Sequence, residues 1–168
     1  QLDFIIGSSH LIYGQDPYYP EFWNNRPIKD TVLTYYESIL DNLECCDNFD
    51  VYGHIDYIAR YIPDKSYIYD WHDYYDLIHT ALKTIIEKGK GIEINTAGLK
   101  YGMPEPNPCL DIVKIYHDLG GEIITVGSDA HEVKFFAYRF DVVADMLKNA
   151  GFNYYTIFNE RKPEFIKL

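Results

Sequence analysis

Apolar residues in this chain alternate between short uninterrupted runs and longer segments in which they recur every three or four positions. Phe4-Ile5-Ile6-Gly7 reads as a buried strand, followed by a loop over 11–27 that Pro17, Pro20 and Pro27 interrupt. Residues 28–46 repeat Ile28, Val32, Tyr35, Ile39 and Leu43 on one helical face. A second strand is predicted at 50–55 and a second helix at 72–88, with Leu77, Ala81, Leu82, Ile85 and Ile86 inward and Gly89 and Gly91 at its exit. The run 91–95 is a third strand. A third helix over 108–119 would start at Pro108 under an Asn107 N-cap and stop at Gly120. A strand at 122–127, a helix near 137–150 and a last strand at 154–158 complete the pattern. Strand and helix alternating at this spacing implies parallel βα units in a single α/β domain over 1–168, with five strands visible. Five such strands do not close a barrel, so the expectation is an open sheet or part of a larger barrel.

Composition narrows the partners. With 168 residues and 47% hydrophobic content the chain can bury one sizeable core, and it has no apolar run near the roughly 18 residues a membrane helix needs. The formal net charge of −11 argues against nucleic acid, because affinity for a phosphate backbone comes from clustered Lys and Arg. Cys45, Cys46 and Cys109 share no repeated spacing, which suggests neither a disulfide framework nor a thiolate metal site, and a reducing cytoplasm is the expected setting. The 17 tyrosines, many in polar-flanked loops, suit a surface or cleft needing both apolar area and a hydroxyl.

Candidate chemistry gathers where the strands end. The run "FIIGSSH" ends at His10, "FDVYGHID" at His54 and Asp56, and "EIITVGSDAH" at Asp129 and His131; "GIEIN" carries Glu93 and Asn95. In parallel α/β folds the C-terminal strand ends share one face, where sites are assembled. Asp129 and His131, two positions apart, would point the same way in an extended chain. A lone strand-end histidine is more often a hydrogen-bonded cap than a ligand, and Asp129 alone would read as an Asx turn. Three imidazoles and a carboxylate arriving together favour a metal site, and without thiolate the set suits Zn, Mn or Fe. His72, His79 and His117 lie in or at the starts of helices and read as solvated or satisfied, and Cys45-Cys46 receives no role.

The motifs "GSSH", "DVYGHIDYIARY", "GIEINTAGLKYGMPEPNP" and "GEIITVGSDAH" resemble those of the PHP (polymerase and histidinol phosphatase) superfamily, and more narrowly its histidinol-phosphate phosphatases. The resemblance runs over essentially the whole chain. It implies parallel βα units forming the C-terminal part of a distorted (β/α)7 barrel, with a trinuclear site of divalent metals (Mn, Fe or Zn) at the strand ends. His10 and His54 would hold one metal, Asp129 another and His131 a third. Arg60 matches the family's phosphate-contacting arginine and Lys100 a second basic residue. Glu93 and Asn95 would support the site or touch substrate. The implied reaction is hydrolysis of L-histidinol phosphate, a small phosphate ester, with Asp129 orienting or deprotonating the attacking water and Arg60 paired to phosphoryl oxygens. The loop 11–27, with Tyr13, Tyr18, Tyr19, Phe22 and Trp23, would act as a lid, Tyr18 and Tyr19 stacking on the substrate imidazole. Another PHP phosphoesterase acting on small phosphates or nucleotides is the nearer alternative. The family's opening His-x-His strand has no counterpart here, so the expectation is the C-terminal portion of a longer enzyme, partnered by an N-terminal segment of the same barrel. A non-catalytic half-barrel is the further alternative, with exposed sheet edges that favour a homo-oligomer.

Overall fold

The computed structural model describes residues 2–168. Four short strands lie side by side in chain order: β1 (Ile6–Gly7), β2 (Val51–Tyr52), β3 (Gly91–Asn95) and β4 (Ile124–Gly127). Their register pairs Ile6 with Val51, Val51 with Gly91 and Ile92 with Ile124, all parallel, so every C-terminal strand end faces one edge. Parallel neighbours need crossovers, and these are helical. Helices α1 (Pro20–Trp23) and α2 (Ile28–Cys45) follow β1, and α3 (Tyr75–Glu87) follows β2. After β3 come α4 (Ala97–Lys100) and α5 (Leu110–Asp118), and α6 (Phe140–Asn149) follows β4.

The longest helix shows why the sequence folds this way. Val32, Tyr35, Ile39 and Leu43 recur at helical spacing on α2, and all are buried in the hydrophobic core. Burying each aliphatic member is worth about 1.5–3 kcal/mol. The backbone carbonyl of Pro27 accepts from the Thr31 hydroxyl at 2.8 Å, closing the first turn. On α3 the buried face is Ile78, Ala81, Leu82 and Ile85, and Gly89 with φ 67° lets the chain leave the helix for β3.

Four expectations from the pattern need correction. The first strand was expected to be buried, yet β1 is only two residues long and Ile6 is 43% exposed, because β1 is an edge strand paired on one side. Helix α5 begins at Leu110 with Cys109 at its N-cap, not at Pro108 under Asn107. The Asn107 side chain is buried and bonded elsewhere, and the Glu105 carboxylate accepts from Leu110 N–H at 3.1 Å instead. The final strand does not extend the parallel set. β5 (Tyr154–Asn159) turns back into β6 (Lys162–Lys167) as an antiparallel hairpin, and rests against β4 with Ile124 N–H donating to Thr156 Oγ1 at 3.2 Å. The hairpin is held under β1: Arg161 Nε donates to Asp50 at 2.8 Å, and Phe4 stacks on Phe158 at 4.9 Å. Finally, many tyrosines are structural. Tyr35, Tyr36, Tyr74 and Tyr116 are fully buried, the Tyr116 hydroxyl donating to the Ile123 carbonyl at 2.9 Å. Among the described residues no helix is long and apolar enough to cross a membrane.

Candidate functional site

The edge where the parallel strands end carries the polar residues the pattern singled out. His54 follows β2 and Asp129 follows β4, and both adopt left-handed backbone, φ 30° and 46°. That region is costly for residues with a Cβ, and such strain persists where surrounding structure over-determines it, most often at functional sites. His54 directly follows Gly53, and Asp129 lies two residues after Gly127. A Cβ at Gly53 would lie 2.9 Å from Ile6 Cγ2 and 3.2 Å from Glu93 Oε2, and one at Gly127 would overlap Glu93 Oε1. The two glycines leave room for the Glu93 carboxylate between β2 and β4.

His10 and His54 come together, ring centroids 4.9 Å apart and edge to face, and Tyr57 packs on both, at 5.0 and 4.7 Å. His10 is exposed, whereas His54 is buried with no partner for Nδ1. Burial pushes the His54 pKa down to about 4, with His10 and the Arg60 guanidinium adding to it. The ring is therefore neutral at physiological pH with an unpaired nitrogen, which is the form that binds a metal. Asp129 and His131 form a second pair, His131 Nδ1 lying 3.0 Å from the Asp129 carbonyl and 3.7 Å from its carboxylate, at the surface. Among the described residues no three His, Cys, Asp or Glu side chains gather into one metal-holding cluster. The donor chemistry fits a divalent metal: unpaired imidazole at one pair, carboxylate and imidazole at the other.

Glu93 and Asn95 lie buried beneath this edge. Asn95 Nδ2 donates to Glu93 Oε2 at 3.2 Å, its Oδ1 accepts from Ala97 N–H at 2.9 Å, and burial raises the Glu93 pKa. Arg60, on the tight turn Tyr57–Tyr61, stacks among Tyr57, Tyr61 and Tyr101 at 5.3, 6.0 and 5.6 Å, with Nε buried and unpartnered. Lys100, at the end of α4, lies 4.9 Å from the Tyr101 ring and 5.0 Å from Phe135. A cleft of about 520 Å³ opens beside Arg60, walled by Tyr69, Trp71, Tyr101 and Cys109 over Asp56.

Tyr18 and Tyr19 are 64% and 56% exposed, with Tyr18 reaching within 6.0 Å of the Tyr61 ring. Phe22 and Trp23, grouped with them as lid residues, are buried in the core instead, Trp23 Nε1 donating to the Pro17 carbonyl at 2.9 Å. Their burial anchors the loop. His72 pairs with Asp70, while His79 and His117 lie on α3 and α5, away from the strand ends.

Asn107 is the residue that local reading missed. Its Nδ2 donates to Asp56 Oδ1 at 2.7 Å, its Oδ1 accepts from Arg60 Nη2 at 3.3 Å, and its backbone pairs with Asn95. It thus ties Arg60 to the end of β3. Burial pushes the Asp56 carboxyl up to about 6, and the Asn107 bond pulls against that rise. The only sequence signal was a polar residue between two prolines, which an N-cap explains equally well.

Residues 1–97 match the PHP domain. The chain is 32% identical over 151 residues to a probable histidinol-phosphatase of Clostridium acetobutylicum, covering 90% of this chain and 59% of that protein. It is 37% identical over 145 residues to a probable histidinol-phosphatase of Thermotoga maritima, covering 86% and 58%. The crystal structure of Lactococcus lactis histidinol phosphate phosphatase, complexed with zinc, L-histidinol and phosphate, superimposes with a TM-score of 0.80 at 25% identity, over 96% of this chain and 62% of that one. The chain thus spans about 60% of the length of the relatives it matches.

Proposed function

The chain belongs to the PHP domain family, and on that premise we propose that it serves in a metal-dependent phosphomonoester hydrolase converting L-histidinol phosphate to L-histidinol and phosphate. One observation carries the reading: a neutral, unpaired imidazole at His54 lies one tyrosine away from a guanidinium that no carboxylate pairs among the described residues. Imidazole for metal and guanidinium for phosphate are the two chemistries such a hydrolase needs.

His10, His54, Asp129 and His131 would hold the metals, zinc first, with manganese or iron accepted by the same donors. A trinuclear arrangement needs further donors, and a further segment pairing on the free edge of β1 would extend residues 1–168 toward a closed barrel. Bound there, the metals supply Lewis-acid neutralisation of the phosphoryl oxygens and a lowered pKa for water. Arg60 pairs two phosphoryl oxygens through its planar fork, and Lys100 adds a second positive charge. Asp129 orients the attacking water and takes its proton. Glu93 and Asn95 support the strand ends from beneath or touch the substrate. Tyr18 and Tyr19 stack on the leaving group's imidazole.

Phosphate release from L-histidinol phosphate by the 168-residue chain, with Mn²⁺ or Zn²⁺ supplied, tests this. Turnover at least about tenfold faster than on a nucleoside monophosphate is expected of a site built for this ester. Equal rates would shift the reading to another PHP phosphoesterase. The lack of a three-donor cluster among the described residues favours a second reading, a part that binds metal weakly and does not turn over alone. Zinc titration of the folded chain separates the two: weak binding that His54→Ala lowers further, with no turnover, supports the second, and affinity unchanged by His54→Ala removes the metal site from both.

A further inference from the structure

We propose that Tyr101 is a positioning residue that holds Arg60 and Lys100 as a two-cation clamp on one phosphate group. The inference rests on the phosphate-site reading above. Both cations lie against the same ring, Arg60 at 5.6 Å and Lys100 at 4.9 Å from its centroid. Like charges brought to one ring repel, and in a chain with net charge −11 carboxylates to neutralise them are plentiful. Yet among the described residues neither cation forms an ion pair, whereas Lys134, on the same side of the site, pairs with Glu132 at 2.8 Å. Arg60 spends one nitrogen on Asn107 and keeps Nε buried without a partner.

Tyr101 itself is exposed, so it is not a core residue whose role is packing. Its ring face attracts each cation through the quadrupole while leaving their N–H groups free to donate. Phe135 closes the other side of Lys100 at 5.0 Å, which ties α4 to the segment that follows His131. The arrangement fits a small anion with three or more acceptor oxygens. An exposed aromatic ring presents two unpaired cations without quenching either, which a carboxylate would do.

The test compares wild type, Tyr101→Leu and Tyr101→Phe in the full chain, with inorganic phosphate as the probe and ³¹P line broadening as the readout. Leucine should weaken phosphate binding about tenfold, and phenylalanine, which keeps the ring face, should stay within about twofold of wild type. Ring-current upfield shifts of the Lys100 ε-methylene protons should be present in wild type and Tyr101→Phe and lost in Tyr101→Leu. Wild-type binding that Tyr101→Leu leaves within about twofold overturns the clamp and leaves the phosphate site standing. No phosphate binding by wild type, with the Lys100 shifts present, overturns the phosphate-site reading and the clamp with it.

Discussion

Replacing Asn107 with alanine tests the link between the two halves of the site. The Asn107 amide gives Asp56 its shortest hydrogen bond, 2.7 Å, in a buried setting, and Cys109 N–H donates to the same carboxylate at the longer distance of 3.3 Å. A hydrogen bond to a charged group contributes about 1.5–3 kcal/mol, and a buried carboxylate left short of donors forfeits that amount. The Arg60 bond, long at 3.3 Å, adds little, so a loss of about 2–3 kcal/mol is expected. For a chain of this size that is a fall in Tm of roughly 4–12 °C. Thermal unfolding followed by circular dichroism at pH 7.5, where Asp56 is ionised, measures it. Asp56→Ala and the double variant complete a cycle, and the Asn107→Ala cost should shrink by at least about 1 kcal/mol once Asp56 is gone. A Tm within about 1 °C of wild type, or strictly additive losses, would refute the argument that Asn107 is held by this carboxylate rather than by its backbone pairing with Asn95.

Other outcomes follow from the same geometry. Arg161→Ala leaves Asp50, only 7% exposed, without its ion-pair partner, and should cost about 2 kcal/mol in urea unfolding, less than a fully buried pair because Arg161 itself meets solvent. An unchanged midpoint would mean that the Phe4–Phe158 stack and the bonds to Asp3 and Thr156 dock the hairpin without help from the ion pair. Ellman's reagent at pH 8 should react quickly with Cys45 and Cys46, which are exposed, and slowly with Cys109, whose thiol burial pushes up to about 12. Three equally fast thiols would contradict that burial. Paired Tyr18→Ala and Tyr19→Ala changes should raise KM for L-histidinol phosphate about tenfold while leaving a simple phosphate ester nearly unaffected. An equal rise for both esters removes the stacking role.

Periodicity and strand-end residues carried much of the architecture in this sequence. The buried stripe of α2 and the five residues of β3 follow from local spacing, because burying one face suffices to select the helix or strand. His10, His54, Asp129 and His131 were legible as candidates for the same reason: parallel strands deliver their C-terminal ends to one edge, whatever the loops do. Tertiary structure decided the rest. The β5–β6 hairpin turns through Glu160 and Arg161, both at positive φ without a glycine, and Pro163 sits inside β6, so no local signal announces it. Arg161 gains its place only through Asp50, distant in sequence. Asn107 looked like a helix cap because its neighbours favour one, and is a buried bridge because Asp56 and Arg60, from another loop, bond its side chain in the fold. Tyr101 gained Arg60 by the same route, whereas Lys100 is its neighbour in the chain. Spacing along the chain specifies which face a residue takes, since that depends on backbone period alone. Which partner a polar or aromatic side chain meets depends on contacts closed across long loops, and those exist only once the chain has folded.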